Sequence, residues 1–170
     1  MKKKILDIAW WGRRILTAVL AGVIVLVASG QGQAADTYSE SDVELIAKTV
    51  WQEARGIPSK AEQAAVVWCI LNRVDDDRWG DTIAEVVTAP HQFAYDAGAP
   101  VTDELRQLVV DVLERWKREK KGETDVGRVL PAEYVFFDGD GSHNHFRREY
   151  EHTGEYWGFE GENPYVEEEK

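Results

Sequence analysis

The chain has 170 residues, with 31 Asp and Glu against 20 Lys and Arg, a formal net charge of -11 and a single cysteine. So acidic a surface repels phosphate backbones and anionic headgroups, which speaks against nucleic-acid binding. Cys69 alone excludes an internal disulfide, and its place in Ala64-Ala65-Val66-Val67-Trp68-Cys69-Ile70-Leu71 reads as a buried, inert thiol.

Lys2, Lys3, Lys4, Arg13 and Arg14 precede a run without charge from Ile15 to Ala28, followed by small and polar residues through Ala35. That run is 14 residues long, short of the roughly 20 a spanning helix needs, and the layout predicts a Sec-type signal peptide over 1–34, cut after Ala34. The rival is an uncleaved signal anchor, which Trp10-Trp11 at a membrane interface suits. Either way the functional part is expected outside the cytoplasm, secreted or cell-wall associated. The remainder carries 15 basic against 30 acidic residues. It divides into a leader (35–42), one domain (43–160) and an acidic tail (161–170), since its length suits a single core.

Ser41-Asp42-Val43-Glu44 predicts a capping box opening a first helix, whose stripe Val43, Ile46, Ala47, Val50, Trp51 and Ala54 runs until Gly56 and Pro58 stop it. Glu53 falls in its last turn. Ser59-Lys60-Ala61-Glu62 predicts a second box and a helix apolar on nearly every face from Ala64 to Leu71, the buried centre of the domain. Thr82-Ile83-Ala84-Glu85 opens a short third helix that Pro90 ends, leaving His91-Gln92-Phe93 on a loop or edge strand. Between Thr102 and Lys121, Leu105, Leu108, Val109, Val112, Leu113 and Trp116 mark a fourth, amphipathic helix. Tyr134-Val135-Phe136-Phe137 then predicts a strand and Asp138-Gly139-Asp140-Gly141 a hairpin turn, with His145, Phe146 and Tyr150 on or near the return arm.

Glu53 is the first candidate for chemistry. A carboxyl at a helix C-terminus meets the negative end of the dipole, and Trp51 with a buried second helix adds desolvation, both of which raise a pKa as a general acid requires. Arg55 opposes this if it points at Glu53. On position alone, a Glu in a final turn is more often a solvated surface residue.

The stretch Trp51-Gln52-Glu53-Ala54-Arg55-Gly56-Ile57-Pro58, continued by Gln63-Ala64-Ala65-Val66-Val67 and Ile70-Leu71-Asn72-Arg73-Val74, resembles the SleB/CwlJ cell-wall hydrolase family. Asp81-Thr82-Ile83-Ala84-Glu85-Val86-Val87 and Pro90-His91-Gln92-Phe93 extend the likeness, which is strong from Val43 to Ala94. The resemblance implies a compact, mainly helical α+β domain of lysozyme or transglycosylase-like architecture with a small β-hairpin or sheet. It implies cleavage of peptidoglycan between N-acetylmuramic acid and N-acetylglucosamine. No cofactor is expected, and the chain is expected to act as a monomer. Glu53 matches the catalytic glutamate, Gln92 and Phe93 match the loop beside the cleft, Asn72 and Thr82 are supporting residues, and Tyr134 and Phe136 belong to the other wall. One placed carboxyl suits a lytic transglycosylase, in which the muramic acid's own 6-hydroxyl attacks the anomeric carbon; a hydrolase wants two, and Asp81 is a possible second. The chain departs from the family pattern at Ile57, where a Glu is common, and from Phe137 to His145, where a glycine-rich stretch is usual. The second departure leaves spore cortex and vegetative wall both open as substrates.

Asp138, Asp140, Ser142, Asn144 and Glu149 fall at calcium-loop spacing, but His143 stands where that loop needs Gly and the flanks read as strands, so a plain hairpin turn is the reading. No metal site is assigned. The pair His143 and His145 keeps a metal-dependent wall amidase or endopeptidase as one alternative, and a non-catalytic wall-binding protein is the other.

Overall fold

The structure is a computed structural model describing residues 38–161 and 163–166. The expected export segment and the last acidic residues lie outside the described residues. Four helices and one two-stranded antiparallel sheet follow in the order α1 (Glu40–Ala54), α2 (Lys60–Val74), α3 (Ile83–Thr88), α4 (Asp103–Lys120), β1 (Phe136–Gly139) and β2 (Asn144–Arg147). The fold is therefore mainly helical with a small hairpin.

α2 is the central element, as its all-round apolar sequence demands. Every residue from Ala64 to Leu71 is fully buried, and α1, α3 and α4 all pack on it. Trp68 fills the middle, with the Arg128 guanidinium 4.0 Å from its ring centroid. α4 contributes the predicted stripe of Leu105, Leu108, Val109, Val112, Leu113 and Trp116, all buried, and Thr102 caps it. Cys69 is a buried free thiol, and burial pushes it up to about 11.

α1 begins earlier than the expected Ser41 start. Ser39 is the N-cap and Asp42 closes the box, the Ser39 amide donating to Asp42 Oδ2 at 2.8 Å. Both registers offer a hydroxyl followed three residues later by a carboxylate. The earlier one wins because the preceding Tyr38 already donates to Glu114 Oε1 of α4 at 2.5 Å, while Glu44 is drawn to Lys48 one turn on, at 2.6 Å. At the other end of the chain, Tyr165 is buried and donates to Asp111 Oδ2 at 2.7 Å.

The second box is only half formed. Ser59 accepts from the Glu62 amide, but the Glu62 carboxylate is diverted to the hairpin, as described below. The third forms in full, with Thr82 and Glu85 reciprocating. α3 ends as Pro90 dictates, Ala89 being pushed to extended backbone (φ -61°, ψ 137°).

The hairpin sits two residues later than expected. Tyr134 and Val135 are not strand residues, because their carbonyls are taken by the end of α2: Asn72 Nδ2 donates to Tyr134 O at 2.9 Å and Arg73 Nε to Val135 O at 2.7 Å. Pairing starts at Phe136 opposite Arg147 and closes at Gly139 opposite Asn144. The turn is 140–143, held by Asp140 Oδ1, which accepts from the Ser142 and His143 amides at 2.8 Å each. Tyr150 lies beyond the return strand, exposed, its ring 5.9 Å from Phe136.

Candidate active site

Glu53 stands in the last turn of α1, half-buried. Val50 and Ala54 on the same helix are buried in the core, which fixes the helix rotation and turns Glu53 toward the loop after α3. There its Oε1 accepts a short hydrogen bond from the Ala94 amide, 2.5 Å. Desolvation raises the carboxyl above its ordinary value; the Ala94 amide and the Arg73 charge pull it back without cancelling the rise. Arg55 does not oppose it: that side chain is exposed and donates to Gln52 Oε1 at 3.4 Å.

The loop that supplies the amide turns through His91, whose φ of 64° is left-handed, a region His tolerates better than most residues. Gln92 and Phe93 are both half-buried here. Gln92 Oε1 accepts from Arg73 Nη1 at 3.0 Å, and the Phe93 ring lies 6.1 Å from Phe137. Phe137 in turn sits 5.2 Å from the fully buried Phe146, so an aromatic row ties the loop to the hairpin and the hairpin to the core.

Arg73 is the residue around which this region is organised, and sequence reasoning gave it no role. It ends α2 at 4% exposure, with Trp79 and Phe93 ring centroids 4.4 and 4.5 Å from its guanidinium and Phe136 at 5.9 Å. The available signal was an Arg following the apolar run Ala64–Leu71 at the end of a buried helix, which has to find buried partners.

A second missed group fixes the carbonyl end of α1. Asn144 is buried; its amide donates to Glu62 Oε2 at 2.8 Å and its Nδ2 to the Glu53 carbonyl at 3.3 Å. Glu62 Oε1 also meets His143 Nδ1 at 2.9 Å, an ion pair that raises the His143 pKa. Gly139 makes room for this junction, since a Cβ there would stand 2.9 Å from Asn144 Oδ1.

The remaining predicted residues separate. Phe136 is half-buried against Trp79, 5.6 Å away, on the Arg73 side. The Tyr134 ring lies tilted against Trp157, centroids 5.4 Å apart. Asn72 is an internal strut, donating to Pro131 O and Tyr134 O and accepting from Arg128 Nη1 at 2.6 Å. Thr82 is the N-cap of α3. Asp81 is exposed beside it.

Of the calcium-spaced oxygens, those of Asp140 are taken by its turn and by His145 Nε2 (2.9 Å), and Asp138 stands opposite Arg147 Nη1 at 3.2 Å. His143 and His145 thus face different carboxylates, Glu62 and Asp140. A separate cavity of about 220 Å³ lies between α1 and the starts of α2 and α4, lined by Trp51, Ala54, Gln63 and Leu105 among others; Glu53 is not in its wall.

A half-buried carboxyl whose pKa is raised by desolvation, beside an aromatic side chain, is a feature of acid-base enzymes that cut polymers. Residues 58–127 match the family described as Cell Wall Hydrolase (Hydrolase_2). Among its relatives, a spore cortex-lytic enzyme of Oceanobacillus iheyensis is 35% identical over 83 residues, 46% of this chain and 30% of that protein. The spore cortex-lytic enzyme of Bacillus subtilis is 30% identical over 83 residues, 46% of this chain and 27% of that one. The matched stretch thus spans about a third or less of these relatives. The crystal structure of the catalytic domain of Bacillus cereus SleB superposes with a TM-score of 0.48 at 22% identity, covering 66% of this chain and 83% of that one.

Proposed function

We propose that this chain cleaves the glycan strands of peptidoglycan between N-acetylmuramic acid and N-acetylglucosamine, with Glu53 as the group that gives and takes the proton. The observation carrying this reading is the Glu53 carboxyl itself, whose pKa desolvation raises and whose Oε1 the Ala94 amide holds at 2.5 Å. The Hydrolase_2 match begins at residue 58, beyond Glu53, so the role of Glu53 rests on geometry and on its place in the Glu53-Ala54-Arg55-Gly56 stretch.

The reaction is that of a lytic transglycosylase. Protonated Glu53 gives its proton to the glycosidic oxygen as the bond to the anomeric carbon breaks. The resulting carboxylate takes the proton of the muramic acid 6-hydroxyl as that oxygen closes on the same carbon, leaving a 1,6-anhydro end. The acid is regenerated without water entering the chemistry. Phe93 and Phe136 offer aromatic surface to sugar rings, and Gln92 orients the loop between them. The substrate and the relatives' activity both support action at the wall, outside the cytoplasm.

Release of soluble glycan fragments from purified peptidoglycan is the test. Wild type is expected to solubilise the sacculus and Glu53→Gln to lose about 10³-fold or more in rate. A Glu53→Gln variant as active as wild type removes this reading.

A further inference from the structure

We infer that Arg73 is the positioning residue of this site, holding the Gln92–Ala94 loop against Glu53 and supplying the fixed positive charge that the carboxylate meets once it has given up its proton. The inference rests on the proposed role of Glu53 and deepens it.

The geometry is specific. One guanidinium is shared by three segments: it donates from Nη1 to Gln92 Oε1 at 3.0 Å and from Nε to Val135 O at 2.7 Å, and it lies against the rings of Phe93 and Trp79. The residue after Phe93 is Ala94, whose amide is the hydrogen-bond donor to Glu53. Arg73 therefore sets where that amide stands. No carboxylate forms an ion pair with Arg73 among the described residues, although the residue is almost fully buried. An uncompensated buried cation is costly, and here the acid it couples to through space is Glu53. The other titratable neighbour is Cys69, neutral because burial raises it. A guanidinium stays charged across the pH range of enzymes, and its planar face stacks on rings while its edge donates, which a lysine ammonium cannot do.

The consequence is a division of labour. Desolvation of the pocket raises the Glu53 carboxyl and so favours its protonated form in the first half of the reaction, and the Arg73 charge limits the cost of the carboxylate in the second half. Both halves need the carboxyl in one place, which is the task of the loop.

Two variants of the full chain test this, Arg73→Met and Arg73→Lys, each read three ways. The Glu53 carboxyl is titrated by carbon-13 NMR, assigned by its loss in Glu53→Gln; the Ala94 amide is followed in proton-nitrogen spectra; and the pH profile of kcat is measured on peptidoglycan. In Arg73→Met the Glu53 midpoint is expected to rise above the wild-type value and the acidic-to-basic limb of the profile to move with it. Arg73→Lys keeps the charge and loses the fork and stacking. Its midpoint is expected to stay nearer to wild type, while the Ala94 amide moves and kcat falls about tenfold or more with little change in KM. A folded Arg73→Met with an unmoved Glu53 midpoint overturns the electrostatic role. Should Arg73→Met fail to fold, Arg73→Lys decides, and wild-type kcat with an unmoved Ala94 amide there overturns the positioning role. Carbon-13 titration and the Ala94 amide do not depend on turnover, so failure of the proposed Glu53 chemistry is distinguishable from failure of the Arg73 role.

Discussion

The Glu53 carboxyl is half-buried, and the fold desolvates its charged form. Its pKa is raised in the folded chain, so the folded state binds that proton more tightly than the unfolded one. The stability this contributes is present at low pH and is lost as pH rises from the ordinary carboxylate value through the raised one. Glu53→Gln, which keeps an acceptor for the Ala94 amide, is therefore expected to unfold at higher temperature than wild type at neutral pH, by about 0.5–1 kcal/mol, and to lose that advantage in acid. Thermal melts across pH check this; a Glu53→Gln chain less stable than wild type at neutral pH contradicts it. His143 has the opposite sign. Its pKa is raised by Glu62, so the pair stabilises where His143 is protonated and that contribution fades as pH rises through the raised value. His143→Ala is expected to lower Tm at about pH 6 and to leave it unchanged at about pH 9. A loss of Tm equal at both values contradicts the ion-pair account.

Among the elements, the helices were readable in advance because each carries both a period and punctuation. Thr82 with Glu85 and Pro90 bracket α3, and Thr102 opens the stripe of α4. The failures have one cause: a polar side chain that sequence assigns to its own helix was claimed by a distant partner. Glu62 left its capping box for Asn144, 82 residues away in sequence, and Tyr38 fixed the earlier start of α1 by reaching Glu114. The hairpin moved because Asn72 and Arg73 took the carbonyls of 134 and 135, a demand no local pattern announces. Asn72 and Thr82 carry a prediction at this scale. Asn72→Ala leaves the buried end of α2 without its donor to the Tyr134 carbonyl and removes one partner each from Pro131 O and Arg128, and is expected to cost about 2–3 kcal/mol, whereas Thr82→Ala loses one exposed cap at about 1 kcal/mol. Urea unfolding measures both; equal and negligible costs contradict the strut assigned to Asn72.

Across the whole molecule, the site is assembled from the ends of elements: the last turn of α1, the last turn of α2, the loop after α3 and the hairpin. Sequence identified Glu53, Gln92 and Phe93 as near one another because the resemblance spans those blocks. It missed Arg73 and Asn144, whose partners lie 19 to 91 residues away. A motif names the residues that do chemistry more readily than those that hold them, since holding depends on burial and burial belongs to the fold. The acidic balance of the chain, -11 overall, fits a neutral, amide-rich polymer better than a polyanion.

Mass spectrometry of the muropeptides released from purified peptidoglycan by the full chain tests the central claim most directly. The account predicts fragments ending in 1,6-anhydro-muramic acid that vanish with Glu53→Gln and persist in the presence of chelator. Reducing muramic acid ends instead would keep the glycosidase and replace the transglycosylase chemistry, and intact glycan with cut peptides would contradict the account altogether.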